Sequence, residues 1–222
     1  MDITNEPIKL IFSHLPKATQ KAFEVLAQKS WLKKHRWYLA GGTALTLQVD
    51  HRISVDLDFF IPQEEIATES IISSLSSHNF TISLREKGTL YGVLEGAKVS
   101  FIAYPQFIPK QPFISDKNIN VLDARDIAVM KIIAISQRGT KRDFFDLYWY
   151  TKNREPLLDV LKRVDNQYPK FAHNYHHFIK SLTYFEDAEQ DPEPQIFFET
   201  TWEQVKQYFL SIVPEVADKI LS

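Results

Sequence analysis

The stretch Trp37–Phe60, WYLAGGTALTLQVDHRISVDLDFF, constrains the fold more than any other part of the chain. Trp37 to Ala40 is a short apolar run with aromatic β-formers, which predicts a strand. Gly41-Gly42-Thr43 breaks that run, and Ala44 to Val49 continues as a helix. Gly42 and Thr43 therefore stand at a predicted helix N-terminus. Free backbone N–H groups and the helix dipole make such a tip an anion site. The following run alternates. Ile53, Val55, Leu57 and Phe59 point one way, and Arg52, Ser54, Asp56 and Asp58 point the other.

Two carboxylates at i and i+2 on a strand lie about 7 Å apart along the chain. Like charges that close repel unless a cation neutralises them. Mg²⁺ suits such a pair, because it takes a few carboxylates together with waters and substrate phosphates. Asp56 and Asp58 are the expected metal ligands, and the Gly42–Thr43 tip is the expected phosphate cradle beside them. Together they would serve a nucleoside triphosphate with Mg²⁺.

A GG[ST] turn followed about a dozen residues later by an hDhDh strand resembles the signature of the polymerase-β-type nucleotidyltransferases. The fuller form, GGTALTLQVDHRISVDLDFF, resembles more narrowly the AbiEii/AbiGii toxin-type nucleotidyltransferases. DIAVMK is similar to that family's DxxxxK motif, and RGTKRDFFDL to its RxxxRDxxDL motif. The words LTYFEDAEQDPEP and WEQVK extend the resemblance from about Trp37 to about Lys206. It implies that Lys131 and an aspartate of the last motif are active-site residues. Asp143 is the first choice and Asp146 the second. The resemblance also implies a toxin of a bacterial toxin–antitoxin pair, an antitoxin as partner, and RNA such as a tRNA acceptor end as substrate.

The chain has 222 residues, 44% of them hydrophobic and 13% aromatic, which suits one large or two small globular domains. It contains no cysteine, so disulfides and thiolate metal sites are excluded and a reducing cytoplasm is the expected location. MDITNEPIKLIFSHLP lacks a basic n-region and a long apolar run, so neither a signal peptide nor a membrane span is expected. The net charge of −2 means that any nucleic-acid contact needs a local basic patch.

An amphipathic helix is predicted over Pro16–Lys34, with Phe23, Leu26, Ala27 and Trp31 on its apolar face. Lys33-Lys34-His35-Arg36 then reads as a cationic helix end or as part of an RNA surface. A helix is predicted over Glu64–Ser77, followed by strands Phe80–Arg85, Thr89–Leu94 and Lys98–Tyr104 in a meander. These join the two earlier strands in one mixed sheet. Polymerase-β-type enzymes usually take a third carboxylate from a later strand. Here KVSFIAYP has none, and Ser100 stands where the acid is expected. Glu95, the nearest acid, sits at a turn. Either another acid completes the site, or catalysis is altered or absent.

Helices are predicted over Asp123–Gln137, with Asp123 as N-cap, and from Thr140 onward, with Asp143 completing a capping box. Lys131 is the only charge from Ile127 to Gln137. It either snorkels at the core's edge or aims at the triphosphate or the Asp56/Asp58 pair. Asp143 is a helix cap or an active-site acid that orients or deprotonates the acceptor. Asp146 is an i,i+4 partner of Arg142 or takes that acid's place. From Pro156 the chain reads as helical, with Val205–Leu221 closing it. His173, His176 and His177 share a face of a predicted Phe171–Phe185 helix. Without cysteines or nearby acids they are read as surface or packing histidines. The acidic segment Glu186–Pro194 reads as a solvated loop.

The expected fold is α/β (α+β), a mixed-sheet nucleotidyltransferase core over 1–122 followed by a mostly helical region over 123–222. The expected function is Mg²⁺-dependent transfer of a nucleotide from an NTP to an acceptor hydroxyl. Asp56 and Asp58 would hold the metal, Gly42 and Thr43 the phosphates, Lys131 and Arg52 the phosphate charge, and Asp143 the acceptor. The alternative is a catalytically weak nucleotide- or RNA-binding relative. A kinase-like enzyme fits less well, because GxxxxGK[ST] is missing.

Overall fold

The computed structural model describes residues 9–170 and 175–221. Two short helices, α1 (Lys17–Ala27) and α2 (Ser30–Lys34), lead into strand β1 (Tyr38–Ala40), all three of whose residues are buried. The single helix expected over Pro16–Lys34 is broken at Lys29, whose backbone is extended and whose ammonium donates to the Ser74 carbonyl. Helix α3 (Gly41–Val49) follows β1 directly and ends at Asp50, a left-handed cap. Strand β2 (Leu57–Ile61), helix α4 (Thr68–Leu75) and strands β3 (Phe80–Glu86), β4 (Thr89–Leu94) and β5 (Ala97–Ala103) come next. Two three-residue strands, β6 (Ile114–Asp116) and β7 (Ile119–Val121), were not expected from the sequence.

The strands form one sheet in the order β3-β4-β5-β2-β1-β7-β6. β2 runs antiparallel to β1 and parallel to β5, while β7 runs parallel to β1. β2 alternates between buried Leu57, Phe59 and Ile61 and half-buried Asp58 and Phe60. Phe59 stacks on Phe101 of β5, and Trp31 and Trp37 pack against Phe101. Asp58 and Phe60 share the opposite face. Ala40, Asp58, Ser100 and Tyr91 lie abreast there across β1, β2, β5 and β4.

From Ala124 onward the described elements are helices: α5 (Ala124–Gln137), α6 (Lys141–Asn153), α7 (Leu157–Lys162), α8 (Val164–Gln167), α9 (Tyr175–Ser181), α10 (Glu186–Glu189) and α11 (Trp202–Leu221). Asp123 caps α5 by accepting from the Arg125 N–H. Helix α10 lies inside the acidic segment read as a loop, and that segment is not merely solvated. The Asp191 carboxylate accepts the Lys141 N–H at the start of α6 at 2.9 Å. An aromatic cluster of Phe144, Phe145, Phe185 and Trp202 joins α6 to the last helices. Among the described residues, no helix is long and apolar enough to cross a membrane.

Candidate active site

The strand expected from Ile53 begins only at Leu57, and residues 50–56 form a loop laid against α3. Val55, placed by the alternation on one face with Leu57 and Phe59, is 43% exposed, whereas those two are buried. An isolated antiparallel bridge pairs Arg52 with Ile196 at the start of the loop, and the His51 carbonyl accepts the Phe197 N–H at 2.8 Å. Threonine hydroxyls take up three further carbonyls. Thr46 donates to the Arg52 carbonyl, Thr43 to that of Asp56 and Thr19 to that of Val55. Thr43 also donates to the Ser54 hydroxyl at 2.9 Å. Its side chain is therefore buried in the loop that delivers Asp56, and it does not line the adjoining cleft.

Gly41 and Gly42 form the first turn of α3 and do line that cleft, whose volume is about 780 Å³. Gly41 has φ +73°, and a Cβ there would stand 3.2 Å from Asp58 Oδ2. A Cβ on Gly42 would stand 2.1 Å from the Arg52 guanidinium. The glycines thus let a carboxylate and an arginine press against a helix tip. The cleft brings together Gly42, Arg52, Asp56, Asp58, Lys131 and Asp143 from the expected set. Five basic residues, Arg52, Lys98, Lys131, Arg138 and Arg142, line it against three acids, Asp56, Asp58 and Asp143. A chain of net charge −2 thus turns a basic cavity to solvent.

Beneath the cleft lies a charge cluster that the sequence only hinted at. Asp146 is fully buried. It receives Arg52 Nε at 2.5 Å and Nη2 at 2.8 Å, His51 Nε2 at 2.7 Å and Lys131 Nζ at 2.6 Å. The i,i+4 pair expected between Arg142 and Asp146 does not form. Arg142 instead approaches Asp56 Oδ2 at 3.7 Å. Lys131 bridges to Asp143 at 2.7 Å, and Thr140 Oγ1 donates to Asp143 at 2.6 Å. The expected capping box is absent because the Thr140 hydroxyl turns to the carboxylate and leaves the backbone N–H groups.

Burial pushes the Asp146 carboxyl up, but Arg52, Lys131 and the hydrogen bonds from Arg52 and His51 outweigh it and hold it well below the carboxylate range. Burial also pushes Asp143 up, and Lys131 and Arg138 reverse it, leaving that carboxyl below its ordinary value. Burial lowers His51 despite its bond to Asp146, so its ring stays neutral at pH 7.

The pair expected to hold a metal, Asp56 and Asp58, behaves differently. Burial and then the neighbouring Asp56 raise the Asp58 carboxyl, while a hydrogen bond from Ser100 opposes this. Asp56 Oδ1 is buried with no hydrogen-bond partner. An orphaned carboxylate oxygen beside a second acid is a donor set short of a cation, and it fits Mg²⁺. Ser100 stands beside Asp58 in the parallel β2–β5 register, at the position where a third acid was expected. Glu95 lies apart, paired with Lys21 at 2.6 Å.

Lys33 to Arg36 stand at the N-terminal end of β1, whose C-terminal end carries Gly41. His173 lies outside the described residues, and His176 and His177 are exposed on α9. Sequence reasoning passed over Arg138 and Arg142. Their four-residue spacing across the Gly139–Thr140 turn, which sets both at the cleft, was the available signal.

The sequence matches the family model for the nucleotidyl transferase AbiEii toxin of type IV toxin–antitoxin systems over residues 26–89 and 94–221. An uncharacterised protein from Aquifex aeolicus is 37% identical over 185 residues, which span 81% of this chain and 87% of that protein. A crystal structure of an H. pylori protein assigned as a nucleotidyltransferase superposes with a TM-score of 0.54 at 15% identity, over 92% of this chain and 97% of that one. The MenT4 nucleotidyltransferase toxin of Mycobacterium tuberculosis gives 0.48 at 14% identity, over 90% and 86%. The H. pylori likeness carries the mixed-sheet fold, and the family match spans most of the chain. This chain belongs to the AbiEii nucleotidyl transferase toxin family.

Proposed function

We propose that the cleft transfers a nucleotide from an NTP to an acceptor hydroxyl on RNA, such as a tRNA end, with Mg²⁺ held by Asp56 and Asp58. The observation that carries this reading is the buried, partnerless Asp56 Oδ1 beside Asp58 in an otherwise basic cleft. When bound, Mg²⁺ would stabilise charge on the phosphates and on the departing pyrophosphate. The backbone at Gly41 and Gly42 offers a helix tip to a phosphate. Arg138 and Arg142, both exposed at the cleft, meet the anionic substrate from the other side. Lys131 adds a fixed cation, and Arg52 a second. Asp143, saturated by Lys131 and Thr140, is assigned to anchoring Lys131, because a carboxyl held this low accepts protons poorly. Most of the catalysis then comes from positioning and charge. As a member of a toxin family, the protein is proposed to act in the bacterial cytoplasm with an antitoxin as its partner.

Incubation with labelled NTPs, Mg²⁺ and total RNA tests this directly. Label enters RNA with the wild type and not with Asp58→Ala. No transfer by the wild type, or equal transfer by the variant, refutes the reading. Ser100 in place of a third acid favours one alternative, a catalytically weak binder. Calorimetric binding of ATP, CTP, GTP or UTP without any label transfer would select it.

A further inference from the structure

We propose that the half of the cleft beyond Asp58 is a nucleobase subsite, a stacking platform made by Phe60 and Tyr104 and lined by Met130; this rests on the nucleotide-binding reading of the same cleft.

The argument follows the strands. On β2, Asp58 and Phe60 share a face, and on β5 so do Lys98, Ser100 and Ile102. The cleft lining therefore changes character along the chain direction. Lys98, Ser100 and Asp58 give way, about 7 Å further on, to Ile102 and Phe60. Tyr104 continues past Ile102.

The overlying helix changes in the same sense. Arg138, at the C-terminal end of α5, reaches Asp143 and lies in the field of Asp58, and its charge is felt at Tyr104 as well. Ile127 and Met130, in its N-terminal half, are apolar cleft residues. That end is tied to the tyrosine side of the site. Asp126 holds the Gln167 amide, and the next residue, Tyr168, meets Tyr104 hydroxyl to hydroxyl at 3.3 Å. The acids and lysines of the cleft thus gather at one end and aromatic and apolar side chains at the other, with the Arg138 charge within reach of both Asp58 and Tyr104.

A nucleoside triphosphate has the same polarity, with anionic phosphates at one end and a flat, neutral base at the other. The platform is rigid enough to receive it. Phe60 meets Tyr104 edge to face at 5.4 Å and stacks on Tyr38 at 6.0 Å. Tyr38 and Tyr168 are fully buried behind it. Phe60 and Tyr104 themselves remain half-buried, which leaves ring surface open to the cleft. Ring stacking accepts any base, so the platform contributes affinity more than base choice.

The test is calorimetry with Mg²⁺, comparing each NTP with inorganic tripolyphosphate on wild type, Phe60→Leu, Tyr104→Leu and Tyr104→Phe. Phe60→Leu and Tyr104→Leu are expected to weaken every NTP about tenfold, the lower range for base-on-ring stacking. Tripolyphosphate, which has no base, should bind these variants as it binds wild type. That constancy also shows that they are folded. Tyr104→Phe keeps the ring and should match wild type. Equal weakening of NTP and tripolyphosphate, or no weakening of either, overturns the subsite. Failure of wild type to bind either ligand overturns the nucleotide reading beneath it, and the subsite with it.

Discussion

Replacing Asp146 by Asn tests the buried charge cluster most directly. The cluster holds two anions, Asp143 and Asp146, and two cations, Arg52 and Lys131, all at 5% exposure or less. Asp146 receives two guanidinium contacts, an ammonium and an imidazole. Asn keeps the volume but removes the charge, leaving Arg52 and Lys131 with Asp143 alone. Breaking a buried ion pair from one side costs about 3–5 kcal/mol, because the stranded charge stays desolvated. For a chain of this length, that is roughly 6–20 °C in melting temperature. Urea unfolding with the slope held constant measures it. Removing one charge of each sign, as in Lys131→Met with Asp146→Asn, restores the balance. The double variant should then lose less than the two single losses together, by about 1 kcal/mol or more. A single-variant loss under about 1 kcal/mol, or strict additivity, would refute the claim that this cluster is an interdependent unit.

Two further outcomes follow from the helix tip and the Asp56–Asp58 pair. Gly42→Ala places a Cβ 2.1 Å from a guanidinium that Asp146 holds fast, so Arg52 cannot swing away freely. A loss of about 1–3 kcal/mol and weaker NTP binding are expected, and a variant as stable as wild type in thermal melts would contradict this. Asp58→Asn concerns pH. Burial and Asp56 raise the Asp58 carboxyl above its ordinary value, so the stability tied to its proton is present at low pH and lost as pH rises through the raised value. Metal-free Asp58→Asn should therefore melt above wild type at about pH 7, the gap closing toward about pH 4. Mg²⁺ should raise the wild-type melting temperature and leave the variant's nearly unchanged. Equal Mg²⁺ shifts in both would show that Asp58 holds no metal.

The sheet was legible where residues alternate cleanly or turn at glycine. Strands at Phe80, Thr89 and Ala97 begin within a residue of their expected starts, and α5 starts at its expected cap. β6 and β7 were not legible, because three-residue strands carry too little pattern to separate from a loop. The false extension of β2 back to Ile53 had another cause. Alternation reports which way side chains could point, but not which group satisfies the backbone. Here residues 51–53 meet residues 195–197 in an isolated bridge, and hydroxyls of Thr19, Thr43 and Thr46 take the Val55, Asp56 and Arg52 carbonyls, so no continuous strand forms before Leu57.

The roles of the aspartates were hidden for a related reason. Asp143 and Asp146 lie three residues apart on one helix, and local rules assign them a cap and an i,i+4 pair. Both rules lost to partners far along the chain, Lys131 for Asp143 and Arg52 for Asp146, at sequence separations of 12 and 94 residues. A buried carboxylate finds the nearest desolvated cation, and the fold, not the spacing, decides which one that is. This divides the acids of the site into two groups. Asp143 and Asp146 are neutralised within the protein and depressed. Asp58 is raised, and Asp56 keeps a partnerless oxygen. The first pair fixes Arg52 and Lys131 at the cleft wall, and the second pair is left short of positive charge. A third acid at Ser100 would deepen that deficit in the metal-free protein. Its hydroxyl steadies Asp58 without adding charge, so the two-carboxylate site is the one this charge balance supports.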